Sequence, residues 1–453
     1  MKVAIGQFGA PTTVFNSSLY GVLEGLQDKA EVYGVIGGVS GLVSGQMALL
    51  KDISQLSWLL ETPSAALGAG RYSKNQEVVE ETVRQLIKAG IDAFILLGGN
   101  GTMGLGAAVS KAARELRYPL NVVGVPKTID NDIVGIDHAP GFPSAARFVL
   151  QAVRDLQIDL EAMVGFEQVR VVEVMGRRCG WLAAASALLP HIGSPGTAVE
   201  TPAVGERVDG NKADGNKVSW KTVGTHDVSP PPIICMPEQP LDLAALLKKI
   251  ESRVVDHQNA LVVVSEGVLD VHGEPVVQAG QPGSGTAGRN SSSVMLGGIG
   301  SVIAAHVREE LGFGARYENL GLLQRCWNDC SLASDRRRAR QLGQMGARVV
   351  LDGQGGVMVG LVRDQVDKDE VADGLEGTLK DGWRDGLSET MVPLDALAGQ
   401  ERRMTEAELR LDVDFVRWLG PLVEMEKMTR YPRLRPRRQS LVSRMVPADE
   451  TEE

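Results

Sequence analysis

The chain has 453 residues, 43% of them apolar, with 53 glycines and a net charge of −10, which suits a globular α/β protein of one large or two domain-sized units. The acidic balance excludes a general nucleic-acid binder and predicts a soluble protein, and aromatics at only 4% leave the core to Val, Leu, Ala and Ile. No apolar run is long enough to cross a bilayer, no secretory leader is apparent, and Cys179, Cys235, Cys326 and Cys330 show no metal or redox spacing, so free thiols in the cytoplasm are expected.

Residues 2–7 (KVAIGQ) read as a buried strand, and the loop FGAPTT at 8–13 feeds a helical pattern over 16–26. A strand at 31–36 ends in Gly37 and Gly38. An amphipathic helix over 76–89 precedes a near-continuous apolar strand at 91–97. A glycine-rich turn at 98–106, a small-residue helix over 107–116 and a strand at 121–125 follow. A helix over 144–156, a strand at 169–174 and an Ala-rich helix over 181–189 continue the alternation. The stretch 204–232, with a doubled DGNK and a terminal PPP, breaks it and reads as an exposed insertion. Strand 233–236, helix 241–253 and strand 260–266 restore it, and 280–293 is again Gly/Ser-rich. A helix over 297–311, the segment 314–323 leading into QRC and a basic helix over 332–352 complete the regular part. The tail 428–453 turns basic and then acidic and is expected to be disordered at its end. Strands alternating with helices predict mostly parallel sheets covered on both faces.

Two stretches carry chemistry. GGNGTM at 98–103 follows a strand and opens a helix, the setting in which backbone N–H groups and a helix N-terminus hold phosphate; alternatively it is a tight turn that needs only glycine. VVGVPKTIDND at 122–132 sets Lys127, Thr128, Asp130, Asn131 and Asp132 within six residues after an apolar strand. Phosphoryl transfer to an alcohol needs a base and positive charge around the phosphates. Asp130 can serve as that base, Asp132 can hold Mg2+ directly or through water, and Lys127 can lie on a phosphate. The competing reading is an Asx-turn of capping residues with Lys127 solvated. His138 reads as a packing or capping residue, and DRRRAR at 335–340 as a solvated helix face with i,i+4 pairing.

GGNGTM, PKTIDND, EVMGRRCGW (173–181), the pair Pro237 and Glu238, and LGLLQR (320–325) occur together in that order. This ensemble resembles the phosphofructokinase family over most of residues 1–365. QFGAPTTVFNSS and the GWLAA that follows MGR resemble its pyrophosphate-using branch. The resemblance implies an α/β fold of two Rossmann-like lobes with mostly parallel sheets. The donor lobe would comprise 1–140 plus about 327–365 and the sugar-phosphate lobe 141–326, with 366–453 as a C-terminal extension. It implies Asp130 as base toward a sugar 1-hydroxyl, Lys127 and Thr128 on the transferred phosphoryl group, and Arg71 on the donor. Gly9, Gly99, Asn100, Gly101 and Thr102 would bind the donor, and Asn100 and Asp132 would organise Mg2+. Asp132, Met175, Gly176, Arg177 and Glu238 would line the sugar site, and Arg316 and Arg325 would bind the sugar's phosphate. The family further implies a glycolytic role and a homodimer or homotetramer whose sugar-phosphate site borrows residues from a neighbour.

The departures concern donor and acceptor. Asn100 stands where many members carry an acidic metal residue. Gly101 stands where pyrophosphate users typically carry Asp, and its missing carboxylate leaves room for the α-phosphate of ATP. Lys127 points toward the pyrophosphate branch. Gln168 replaces a phosphate-binding Arg, and Leu322 a His or Tyr. ATP is therefore the expected donor and fructose 6-phosphate or a close relative the expected acceptor. The alternatives are pyrophosphate as donor, a specialised (di)phosphotransferase on another ketose phosphate, or a degenerate regulatory subunit.

Overall fold

The run Ala93–Gly98 is buried at every position, as expected for a central strand of a parallel sheet with helices on both faces. The computed structural model describes residues 1–70, 75–192, 220–223, 230–277, 297–363, 387–429 and 433–436. In chain order its strands are β1 (Lys2–Gln7), β2 (Glu31–Val35), β3 (Met47–Leu49), β4 (Ala93–Gly98), β5 (Asn121–Pro126), β6 (Val169–Val174) and β7 (Trp220–Val223). Then come β8 (Ile233–Cys235), β9 (Ala260–Ser265), β10 (Ala315–Asn319), β11 (Val357–Arg363), β12 (Leu387–Pro393) and β13 (Arg433–Pro436). Among the described residues, seven strands form one sheet in the order β12-β11-β5-β4-β1-β2-β3, parallel except at its two edges. A second sheet, β10-β6-β9-β8, is parallel throughout. The α/β fold with mostly parallel sheets is thus the one the alternation predicts.

Each sheet is sandwiched between two apolar cores. The segment expected as an extension belongs to both lobes. Its strand β12 pairs with β11, and Leu394 and Leu397 pack in the first lobe's core. Met404, Phe415, Leu419, Leu422 and Met425 then pack in the second. The stretches 204–232 and 428–453 lie largely outside the described residues, as does 280–293; two short pieces pair antiparallel as β7 and β13.

Three local expectations are corrected. The helix placed over 107–116 starts seven residues earlier and spans Asn100–Glu115, so the glycine-rich stretch is its first turns, and Gly106 lets Leu394 and Leu96 pack close against that face. The helix expected over 181–189 is a short α turn, Trp181–Ala184, that continues as a 3-10 helix through Pro190. The run 335–340 is not a solvated face, because Asp335 is fully buried and Arg338 nearly so. The reason lies in the helix Phe142–Ala162, whose N-cap is Gly141 and has no side chain to bond the first N–H groups. Asp335 does this from across the lobe boundary, accepting from Gly141 N at 3.1 Å, Ser144 N at 3.2 Å and Ser144 Oγ at 2.6 Å.

Candidate active site

β1, β4 and β5 lie side by side in register, Gln7 opposite Leu97 and Gly98 opposite Pro126, so their carboxyl ends deliver three loops to one edge. Such an edge is where open α/β sheets place ligands. From β1 comes Phe8–Gly9–Ala10, with Gly9 at φ +83°. From β4 comes Gly99 and the N-terminus of the helix Asn100–Glu115; from β5 comes 127–137.

Lys127 is buried, and its Nζ crosses to the first loop, donating to Ala10 O at 2.7 Å and lying 4.3 Å from the Phe15 ring centroid. A Cβ on Gly9 would stand 3.6 Å from that Nζ, so the ammonium and Gly9 share one pocket. This rules out a solvated lysine. Asn131 adopts the left-handed conformation (φ +52°) that Asn tolerates, and its Oδ1 accepts from Ala139 N at 3.0 Å, turning the loop. Thr128 Oγ1 accepts from Asp130 N at 3.1 Å, and Asp130 O accepts from the Cys179 thiol at 3.1 Å. The local turn bond is therefore made by the Thr128 hydroxyl, while Asn131 ties the loop to Ala139 eight residues on, so the loop is not an Asx-turn built on Asn131. Burial and the nearby carboxylates of Asp130, Asp132 and Glu238 push the Cys179 thiol well above its usual range, so it stays protonated.

Asn100 and Asp132 meet, as the sequence implied. Asn100 Nδ2 donates to Asp132 O at 2.7 Å and to Asp132 Oδ2 at 2.8 Å. The amide oxygen of Asn100, Oδ1, and the second carboxylate oxygen of Asp132, Oδ1, are buried and have no hydrogen-bond partner among the described residues. Acceptor oxygens without a donor on two side chains that touch fit a hard divalent cation such as Mg2+. Burial pushes the Asp132 carboxyl up, against the hydrogen bonds from Asn100 and Thr128 that pull it down. Among the described residues, no group of three or more His, Cys, Asp or Glu side chains forms a metal cluster elsewhere.

Gly101, the second residue of the helix, is exposed, and a Cβ built on it meets nothing within 4 Å. Thr102 is buried against Gly98. Arg71 lies outside the described residues. His138 packs in the interior with Nδ1 2.9 Å from Asp137 Oδ2, a packing role as read from the sequence.

In the second lobe the carboxyl end of β6 delivers Met175, Gly176 and Arg177. Met175 N donates to Gln324 Oε1 at 3.0 Å, and Gly176 O accepts from Ser265 Oγ at 2.6 Å. Gly176 sits at φ +137° with Ser265 Oγ and Cys179 O against it, so no larger residue fits. Glu238 accepts from Gly180 N at 3.0 Å and Met404 N at 3.3 Å. Arg177, Arg178, Pro237, Glu266 and Arg403 border a cavity of about 310 Å³. Arg316 and Arg325 are not among its lining residues: Arg316 lies 3.7 Å from the Glu167 carboxylate and against the Phe166 ring. Gln168 is tied down by Gly314 N at 2.7 Å, and Leu322 is exposed.

Sequence reasoning passed over the segment 401–404. Arg402 N donates to Asp132 O at 2.7 Å, and its guanidinium donates to Asp137 O while lying 4.5 Å from the Trp181 ring centroid. Glu401 pairs with Arg178 at 2.8 Å. The only local signal was the charge-rich QERRM itself, far in sequence from every motif.

Two lobes of mostly parallel sheet, with a loop carrying a buried ammonium, a hydroxyl and two carboxylates at the carboxyl edge of the first, form the kind of scaffold an α/β phosphotransferase needs. The phosphofructokinase family description matches residues 2–194. A sulfofructose kinase of Alkalicoccus urumqiensis is 35% identical over 365 residues, covering 80% of this chain and 84% of that one. A pyrophosphate–fructose 6-phosphate 1-phosphotransferase of Rhodospirillum rubrum is 31% identical over 360 residues, covering 78% and 80%. The crystal structure of a pyrophosphate-dependent phosphofructokinase from Nitrosospira multiformis superposes with a TM-score of 0.72 at 25% identity, covering 95% and 93%. The chain belongs to the phosphofructokinase family, and it is an enzyme of the phosphofructokinase-type phosphotransferase class.

Proposed function

We propose that the protein transfers a phosphoryl group from ATP to the 1-hydroxyl of fructose 6-phosphate or a closely related ketose bearing an anion at carbon 6. The observation that carries this reading is the convergence of Lys127, Thr128, Asp130 and Asp132 on one loop against Asn100 at a helix N-terminus. Asp130 takes the hydroxyl proton as the sugar oxygen attacks the γ-phosphorus, and the bond to the β-phosphate oxygen breaks in line. Lys127, Thr128 and Arg71 hold the transferred group, and Gly9, Gly99, Gly101 and Thr102 cradle the donor at the positive end of the helix. Asn100 and Asp132 would hold Mg2+, which when bound neutralises phosphate charge. Met175, Gly176, Arg177 and Glu238 position the sugar. Arg316 and Arg325, which do not line that cavity, bind the sugar's phosphate in a homo-oligomer whose site borrows residues from a neighbour.

ATP as donor is supported by the open ground at Gly101, where a carboxylate would face the α-phosphate. A second reading, a fructose whose carbon 6 carries a monoanionic sulfo group, is favoured by Gln168 and Leu322, which bring no charge, and by the relative that bears that name. The cytoplasm suits four free cysteines and the lack of any membrane-spanning helix among the described residues.

The test pairs ATP or pyrophosphate, with Mg2+, against fructose 6-phosphate, 6-sulfo-fructose and other ketose phosphates, identifying products by phosphorus NMR. ATP with fructose 6-phosphate should give the 1,6-bisphosphate. Turnover with pyrophosphate alone overturns the donor, and faster turnover of the sulfo-sugar replaces the acceptor. Asp130→Asn should cost about 10²–10⁴-fold in kcat with acceptor binding retained; unchanged turnover refutes the base.

A further inference from the structure

The segment 401–404 crosses between the two lobes with alternating duties. Arg402 N is bonded to Asp132 O and Met404 N to Glu238, so its backbone is keyed to the catalytic loop and to the sugar-site carboxylate at once. The Arg402 side chain is committed elsewhere, to the carbonyls of Ile136 and Asp137 and to the faces of Trp181 and Trp418. Arg403, between them, borders the cavity at the carboxyl edge of the second sheet together with Arg177, Arg178 and Glu266. Arg178 is paired with Glu401. Arg177 and Arg403 are exposed and make no hydrogen bond or ion pair with any described residue.

We propose that Arg403 is a specificity-determining residue that binds the anionic substituent of the acceptor beside Arg177, a role that rests on the function proposed above. Two guanidinium groups with no partner among the described residues, bordering one cavity with Pro237, the neighbour of Glu238, fit an anion presented by a sugar whose hydroxyls Glu238 bonds. Position 168, by contrast, is a neutral amide spent on Gly314, and position 322 is aliphatic. The chain's own return segment, its backbone held at Arg402 and Met404, thus adds a cation at the acceptor cavity beside Arg177.

The experiment uses the full chain as wild type, Arg403→Lys, Arg403→Ala and Arg403→Glu. It measures fructose 6-phosphate binding by calorimetry without donor, and initial rates against fructose 6-phosphate and against ATP. Acceptor Kd and KM should rise in that order, by about 10–100-fold for the alanine variant. The kcat should stay within about threefold, and the KM for ATP and the melting temperature should not move. Unchanged acceptor binding, a loss indifferent to side-chain charge, or failure of the wild type to bind the sugar phosphate overturns the proposal. Binding that is lost in Arg403→Ala but accompanied by no transfer from any donor would sink the proposed reaction and leave the role of Arg403 standing.

Discussion

Gly101→Asp isolates the donor question from the fold. The substituted position is the second residue of a sixteen-residue helix, exposed, with nothing within 4 Å of the new Cβ. A carboxylate there complements the helix dipole and replaces a glycine, so folding stability should hold or rise by ~0.5–1.5 kcal/mol. In the proposed donor site the same carboxylate would face the donor phosphates. At a separation of about 5 Å the repulsion is ~0.8 kcal/mol in water and ~3.3 kcal/mol at an effective dielectric of 20. That corresponds to roughly 4–250-fold in kcat/KM for ATP. Pyrophosphate has no α-phosphate to crowd, so its kcat/KM should fall less, and the ATP-to-pyrophosphate ratio should drop. Steady-state rates with both donors and a thermal melt on the same preparation decide it. A ratio unchanged in a variant that melts like wild type would refute the assignment of donor selection to this position.

Further outcomes follow from the geometry around it. Asp132→Asn keeps the shape but removes the charge beside Asn100 Oδ1, so the Mg2+ concentration for half-maximal rate should rise about 10-fold or more while the protein stays folded; an unchanged Mg2+ titration counts against the pair as the metal site. Arg402→Ala removes the bonds to the Ile136 and Asp137 carbonyls and the stacking on Trp181, costing ~2–4 kcal/mol in a urea melt, with kcat falling because the loop loses its anchor. Asp137 is half-buried against burial's upward push, yet the His138 bond, the Arg363 charge and Trp418 Nε1 hold its carboxyl below the ordinary 3.8. A depressed folded pKa adds stability that is present above the unfolded value and lost as pH falls through the folded one. Asp137→Asn should therefore melt lower than wild type at pH 7, by ~1–3 kcal/mol, with the gap closing below about pH 4; a gap that persists into acid would show that packing, not charge, accounts for it.

Much of this enzyme is local, and the sequence alone determines that part. The strand KVAIGQ, the apolar run through Leu97 and the helix Gln76–Ala89, capped by Asn75 and ended at Gly90, follow from burial period and caps within a few residues of one another. The loop 127–132 was legible for the same reason, since Lys127, Thr128, Asp130 and Asp132 share one turn, and their partner Asn100 opens a helix one strand away. Other features join residues hundreds of positions apart, and only the tertiary structure decides them. Asp335 reads as one charge in a basic run, yet it caps a helix nearly two hundred residues away because Gly141 cannot. Lys127 reads as solvated or phosphate-bound, and the structure excludes only the first, since its ammonium is buried beside the carbonyls of the first loop. Arg402 and Arg403 carry no motif at all. They reach Asp132 and the cavity bordered by Arg177 only because β12 adds to one lobe and the helix Val413–Leu422 packs on the other, which draws the chain between them from lobe to lobe. Short-range pattern brings the proposed groups onto one loop; long-range packing decides what surrounds them.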